Sequence, residues 1–129
     1  MTPFGAKVRA LRRERGITMK RMAGDLDISQ AFLSALEHGH RGRPSPALLV
    51  QICEYFHLIW DDYEEMHRLA RLSHPRVVVD TRGLDPVRTE LANLLADKID
   101  GLSDLDAANL LERLKNAQPV AKRPRTSRV

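Results

Sequence analysis

The residues of this 129-residue chain that could do chemistry are scattered histidines, helix-start hydroxyls and many arginines. Their spacing suits binding rather than catalysis. His38 and His40 stand two apart in the loop His38-Gly-His-Arg-Gly-Arg-Pro44, with no Cys or carboxylate at ligand spacing, so a metal site is set aside. His57, His67 and His74 add no cluster. The sequence has no glycine-rich phosphate loop and no recognisable Ser/His/Asp set, so neither a cofactor nor an enzymatic activity is expected. The cationic groups are more informative. Residues 1–43 hold nine Lys/Arg against four Asp/Glu, whereas residues 44–74 hold two against five and residues 75–118 six against eight. The last eleven residues add four basic groups and no acid, so the net charge of +4 conceals two basic ends around an acidic middle. That asymmetry is the electrostatic footprint of a nucleic-acid binder. On charge alone, solvated helix faces with chance clustering would explain it better.

The elements that must carry those groups centre on Ile17 to Gly39, which reads as two short helices joined by a tight turn. Thr18 and Ser29 offer side-chain oxygens to backbone N–H groups that lack an intrahelical partner at a helix start. The first helix of the pair turns Met22, Ala23 and Leu26 inward. Asp27 and Ile28 make the turn, with Ile28 able to plug the space between the helices. The second helix has Phe32, Leu33 and Leu36 as its apolar positions. Ala23, small and followed by Gly24, suits a steep helix crossing. Upstream, Phe4, Val8 and Leu11 fall on one face of a helix from Phe4 to Arg15, and Gly16 is a natural stop.

In order and spacing these features resemble the lambda-repressor-like, or XRE, family of helix-turn-helix proteins. The first helix and its arginine-rich end match through Val8, Leu11, Arg12, Arg15 and Gly16, and the second through Thr18 to Ala23. The third matches through Ser29, Leu33, Ser34, Glu37 and Gly39, followed by Pro44 and the apolar run Leu48 to Phe56. The match covers roughly residues 4–58, somewhat under half the chain, and an ordered set of this kind is more specific than a helical pair. Two positions depart from the family pattern. Met19 stands where the family often has a phosphate-contacting Gln. Asp27 stands where Gly is common, in a turn that needs left-handed geometry.

The resemblance implies a reading helix from Ser29 onward whose N-terminal residues enter the major groove. The base-contacting positions it implies are Gln30, Ala31, Ser34, Ala35 and His38. Gln30 suits an adenine edge, Ala31 or Ala35 a thymine methyl, and Ser34 either a base or a phosphate. Phe32 is read as a packing residue. Phosphate contacts are expected from Thr18, Lys20, Arg21, Ser29, Arg41 and Arg43, the last leaning towards a narrow minor groove. Arg12 is expected to brace Glu37 rather than touch DNA. With two alanines on the reading face, specificity is expected to draw partly on DNA shape.

Beyond this, Ser45-Pro46 starts a fourth helix with the cap-then-proline pattern, and Leu48, Leu49, Ile52, Cys53 and Phe56 close the small core. Cys53, the single cysteine, reads as a small buried residue in a reducing compartment. A fifth helix spans Trp60 to Leu72, with Tyr63, Met66, Leu69 and Ala70 inward and Trp60 expected as a buried anchor. Arg76 to Asp80 is either an extended connector or a paired strand. A helix opened by Asp85-Pro86 carries Val87, Leu91, Leu94, Leu95 and Lys98-Ile99, and Gly101 ends it. Ser103 caps a final helix carrying Leu105, Ala108, Leu111 and Leu114. These two helices have more apolar surface than a hairpin can hide, and a second copy of the chain is the expected cover.

The fold expected is therefore all-α: a five-helix lambda-repressor-like DNA-binding domain followed by a C-terminal helical dimerisation segment. The DNA-binding domain covers residues 1–73, a connector 74–83, the helical pair 84–117 and a basic disordered tail 118–129. Lys122, Arg123, Arg125 and Arg128 in that tail would add non-specific phosphate contacts. With no run of eighteen apolar residues and no signal-like N-terminus, no membrane span is expected and the cytoplasm, at the nucleoid, is the expected location. The function these features imply is a sequence-specific transcriptional regulator, most simply a repressor, binding an inverted repeat of double-stranded DNA as a homodimer through residues 84–116. Two rivals stay open. One is an antitoxin whose residues 84–116 hold a toxin. The other is a protein-interaction module that no longer binds DNA specifically. Contact of Asp61 to Glu65 with RNA polymerase would make the regulator an activator.

Overall fold

The computed structural model describes residues 1–40 and 43–120, and all regular structure among them is helical. The chain divides into two compact units, one of Met1–Val77 and a second from Val78 onward.

The first unit holds five helices: α1 (Pro3–Glu14), α2 (Met19–Asp25), α3 (Gln30–His38), α4 (Pro46–Tyr55) and α5 (Trp60–Arg71). Four of the five start on a side-chain cap, from Thr2, Thr18, Ser29 and Ser45, each accepting from an N–H in the first turn of its helix. Burial follows the helical period. Phe4, Val8 and Leu11 of α1 meet Met22 and Ala23 of α2, Leu33 and Leu36 of α3, and Leu48, Leu49, Ile52, Cys53 and Phe56 from α4 and its end. Met66 and Ala70 of α5 complete the core, with Tyr63 and Leu69 half-buried against it. Helix α1 packs on both α3 and α5, α2 on α3, and α4 on α5.

Trp60 corrects the expectation of a buried anchor, for its side chain is 83% exposed. It precedes Met66 by six residues, which at about 100° per residue places it some 120° off the inward arc of α5. The backbone there is left-handed (φ 53°), and the preceding Ile59 gives no side-chain cap.

In the second unit, α6 (Pro86–Lys98) begins on an Asp85 cap, runs into a single 3-10 turn (Ile99–Gly101), and is followed by α7 (Asp104–Lys115), capped by Ser103. The valines of 76–80 form no strand and stand exposed as an extended connector. No residue from 78 to 120 is buried. Val87, Leu91, Leu94, Leu95 and Ile99 on α6 and its end, and Leu105, Leu110, Leu111 and Leu114 on α7, are all exposed.

Candidate nucleic-acid interface

The helix pair α2–α3 is built from local rules and then locked by distant residues. The Thr18 hydroxyl oxygen accepts from the Arg21 N–H at 3.1 Å and that of Ser29 from the Phe32 N–H at 3.0 Å. Between them the chain turns on Asp27, whose φ of 56° is left-handed, while the Ile28 N–H donates to the Ala23 carbonyl at 3.0 Å. Ile28 is half-buried against the core, so the turn is plugged as its apolar character requires. Gly39, at φ 85°, ends α3 in the conformation that glycine adopts without steric cost.

Helix α3 then has two unlike sides. Leu33, Leu36 and Glu37 are buried. Gln30, Ala31 and His38 are exposed, and Ser34 and Ala35 are half-buried along the same outer side. The five residues expected to read bases are thus brought together on one surface strip. Phe32 is half-buried and packs on the core. His38 bends back so that Nδ1 lies 2.8 Å from the Ser34 carbonyl oxygen.

What holds α3 is the buried carboxylate of Glu37. Arg12 of α1 places Nε 3.2 Å from Glu37 Oε2 and also donates to the Ile17 carbonyl at 3.3 Å, tying α1, the α1–α2 link and α3 together. Gly5 allows the close approach of α1 to α3. A Cβ at that position would sit 2.0 Å from the Glu37 carbonyl oxygen.

The expected phosphate contacts are dispersed around this strip. Lys20 and Arg21 at the start of α2 are exposed. Arg21 lies 3.8 Å from Asp25 on the same helix, an exposed pairing worth little and easily exchanged for a phosphate. Thr18 and Ser29 are exposed, and their oxygens serve as caps, leaving the hydroxyl protons for donation. Arg43 is exposed, and Arg41 lies outside the described residues, as do the basic groups of the tail. Met19, in the position where a Gln would touch phosphate, is instead half-buried against the core.

Several supports have no signature in the sequence. Arg15 donates to the Phe56 carbonyl and lays its guanidinium 5.2 Å from the Phe56 ring centre, joining residues 41 apart. The Tyr55 hydroxyl donates to Asp25 at 2.7 Å, tying the end of α4 to the end of α2. Burial first, then the hydrogen bond and charge of Asp25, push the Tyr55 phenol up, with Arg21 opposing.

Comparison with known proteins agrees with this geometry, because the family model described as a helix-turn-helix domain matches residues 5–58. Residues 5–58 are thus similar to a helix-turn-helix domain. Over that domain the chain is 41% identical across 54 residues to the HTH-type transcriptional repressor RghR of Bacillus subtilis (strain 168), covering 42% of this chain and 40% of that protein. It is 42% identical across 52 residues to the uncharacterized HTH-type transcriptional regulator RghRB of the same organism, covering 40% of this chain and 37% of the relative. The chain thus spans about two fifths of the length of these curated relatives. No solved structure matches it. Among the described residues no helix is long and apolar enough to cross a membrane.

Proposed function

We propose that this protein is a sequence-specific DNA-binding transcriptional regulator that binds an inverted repeat as a homodimer, most simply as a repressor. The observation that carries the reading is the exposed strip of Gln30, Ala31, Ser34, Ala35 and His38 on a helix whose opposite side is anchored by a buried ion pair. A reading helix needs that combination, because base-edge hydrogen bonds discriminate only when their donors and acceptors are held in place. Gln30 would meet an adenine edge, the alanines a thymine methyl, and Lys20, Arg21, Ser29, Thr18 and Arg43 the flanking phosphates. The similarity to a transcriptional repressor over this domain supports the same reading.

Dimerisation is assigned to residues 84–116. Nine large apolar side chains stand exposed there on α6, its end and α7, while no residue from 78 to 120 is buried. In α7, Asp104 and Asp106 open the helix and Arg113 and Lys115 close it, so an antiparallel second copy would set acids beside bases. Two half-sites are also what a single short reading helix requires to reach specificity.

Selection of bound sequences from a random duplex library tests the proposal, run on the native chain and on Gln30→Ala with Ser34→Ala. A palindromic consensus that the double substitution blurs supports it. No consensus, with equal weak binding by both proteins, overturns it in favour of a protein-interaction module. Stable co-purification with a different protein held by residues 84–116 would favour an antitoxin.

A further inference from the structure

His38 ends the outer strip of α3, eight residues after Gln30, and is exposed. Its Nδ1 lies 2.8 Å from the carbonyl oxygen of Ser34, one turn earlier. A carbonyl oxygen brings no proton to that contact, so Nδ1 is the donor and, in the neutral ring, the single N–H resides there. Nε2 is then a bare lone pair, and among the described residues it has no hydrogen-bond partner. The partner is backbone, so the tautomer is set by helix geometry and not by the choice of side chain at position 34. The neighbouring His40 ring, 6.4 Å away centre to centre and tilted 36°, does not stack on it.

We infer that His38 sorts base pairs by which strand carries the amino group. In the major groove adenine and cytosine present an amino donor, whereas guanine and thymine present a keto oxygen at the corresponding place. A ring locked with Nε2 as acceptor takes a hydrogen bond from adenine N6 or cytosine N4. Against guanine O6 or thymine O4 it sets lone pair against lone pair. Every base pair contains one amino and one keto base, so the imidazole reads strand orientation within the pair, indifferent to A·T against G·C. This differs from Gln30, whose carboxamide donates and accepts and is fully matched only by adenine. The inference rests on the DNA-reading proposal above and adds the chemical class that one residue selects.

The test is selection from a random duplex library at pH 8, using the full chain. Native protein, His38→Ala and His38→Asn are compared after thermal melts confirm that all three fold. The native protein should show one position per half-site where adenine and cytosine on a given strand are enriched about fivefold over guanine and thymine, the worth of one net hydrogen bond. His38→Ala should flatten that position alone. His38→Asn, which can donate or accept, should keep binding without the amino–keto division. The inference is overturned if the His38-dependent position divides purine from pyrimidine or A·T from G·C. It is equally overturned if other positions stay enriched and none depends on His38. A native protein that enriches no sequence removes the regulator reading itself, and this inference with it.

Discussion

Arg12 and Glu37 clamp α3 to α1: the guanidinium Nε is 3.2 Å from a carboxylate oxygen whose side chain is 1% exposed. Removing one member of such a pair leaves a desolvated charge behind, which costs far more than the pair contributes net. Arg12→Ala should therefore destabilise the protein by about 3 kcal/mol, measured by urea unfolding. Arg12→Met combined with Glu37→Leu should recover much of that loss. A double variant as unstable as the sum of its singles would show that the charges are not coupled.

Two glycines on neighbouring helices should respond in opposite directions. Gly5→Ala drives a methyl into the Glu37 carbonyl. That overpacking should cost at least about 2 kcal/mol, because backbone rather than a flexible side chain must yield. Gly24, inside α2, has nothing within 4 Å of the same added atom, so Gly24→Ala should raise stability by about 0.5–1 kcal/mol. Asp27→Gly should also stabilise, by about 1 kcal/mol, since φ at 56° is costly for a residue with a Cβ. Thermal melts of the three single variants check the order.

The apolar faces of the second unit predict a self-association that charges should break. Leu91 and Leu111 are 58% and 53% exposed. Leu91→Asp with Leu111→Asp should shift the protein to monomer in sedimentation equilibrium. DNA affinity should fall about tenfold or more, as half-sites lose their linkage. A native chain that sediments as a monomer would instead leave these faces to another partner.

Tyr55 makes alkaline stability measurable. Its phenol is raised by burial and by Asp25, so the folded state holds the proton above the unfolded value of about 10. The stability contributed is present below that value and is lost as pH climbs through the folded one. Urea unfolding at pH 8 and then at rising alkaline pH should show Tyr55→Phe less stable than native protein at first, with the gap narrowing. A gap that widens with pH would contradict the assignment.

Caps and helix faces were legible because they are local. Thr18, Ser29, Ser45, Asp85 and Ser103 each bond an N–H three residues on, a relationship written in adjacent residue types. The Arg12–Glu37 contact was legible only through resemblance, since 25 residues separate the partners. Trp60 was misread because its size argued for burial, while its angle on α5 set it outside.

Residue order thus determined where the capped helices begin and which face of each turns inward. Hydrogen-bond demand at helix starts and the 3.6-residue period act over a few residues. Tertiary structure alone decided how α1 closes on α3 at Gly5, which carbonyl Arg15 meets, and that Tyr55 reaches Asp25. Those outcomes depend on interatomic approach in three dimensions, which no spacing along the chain encodes.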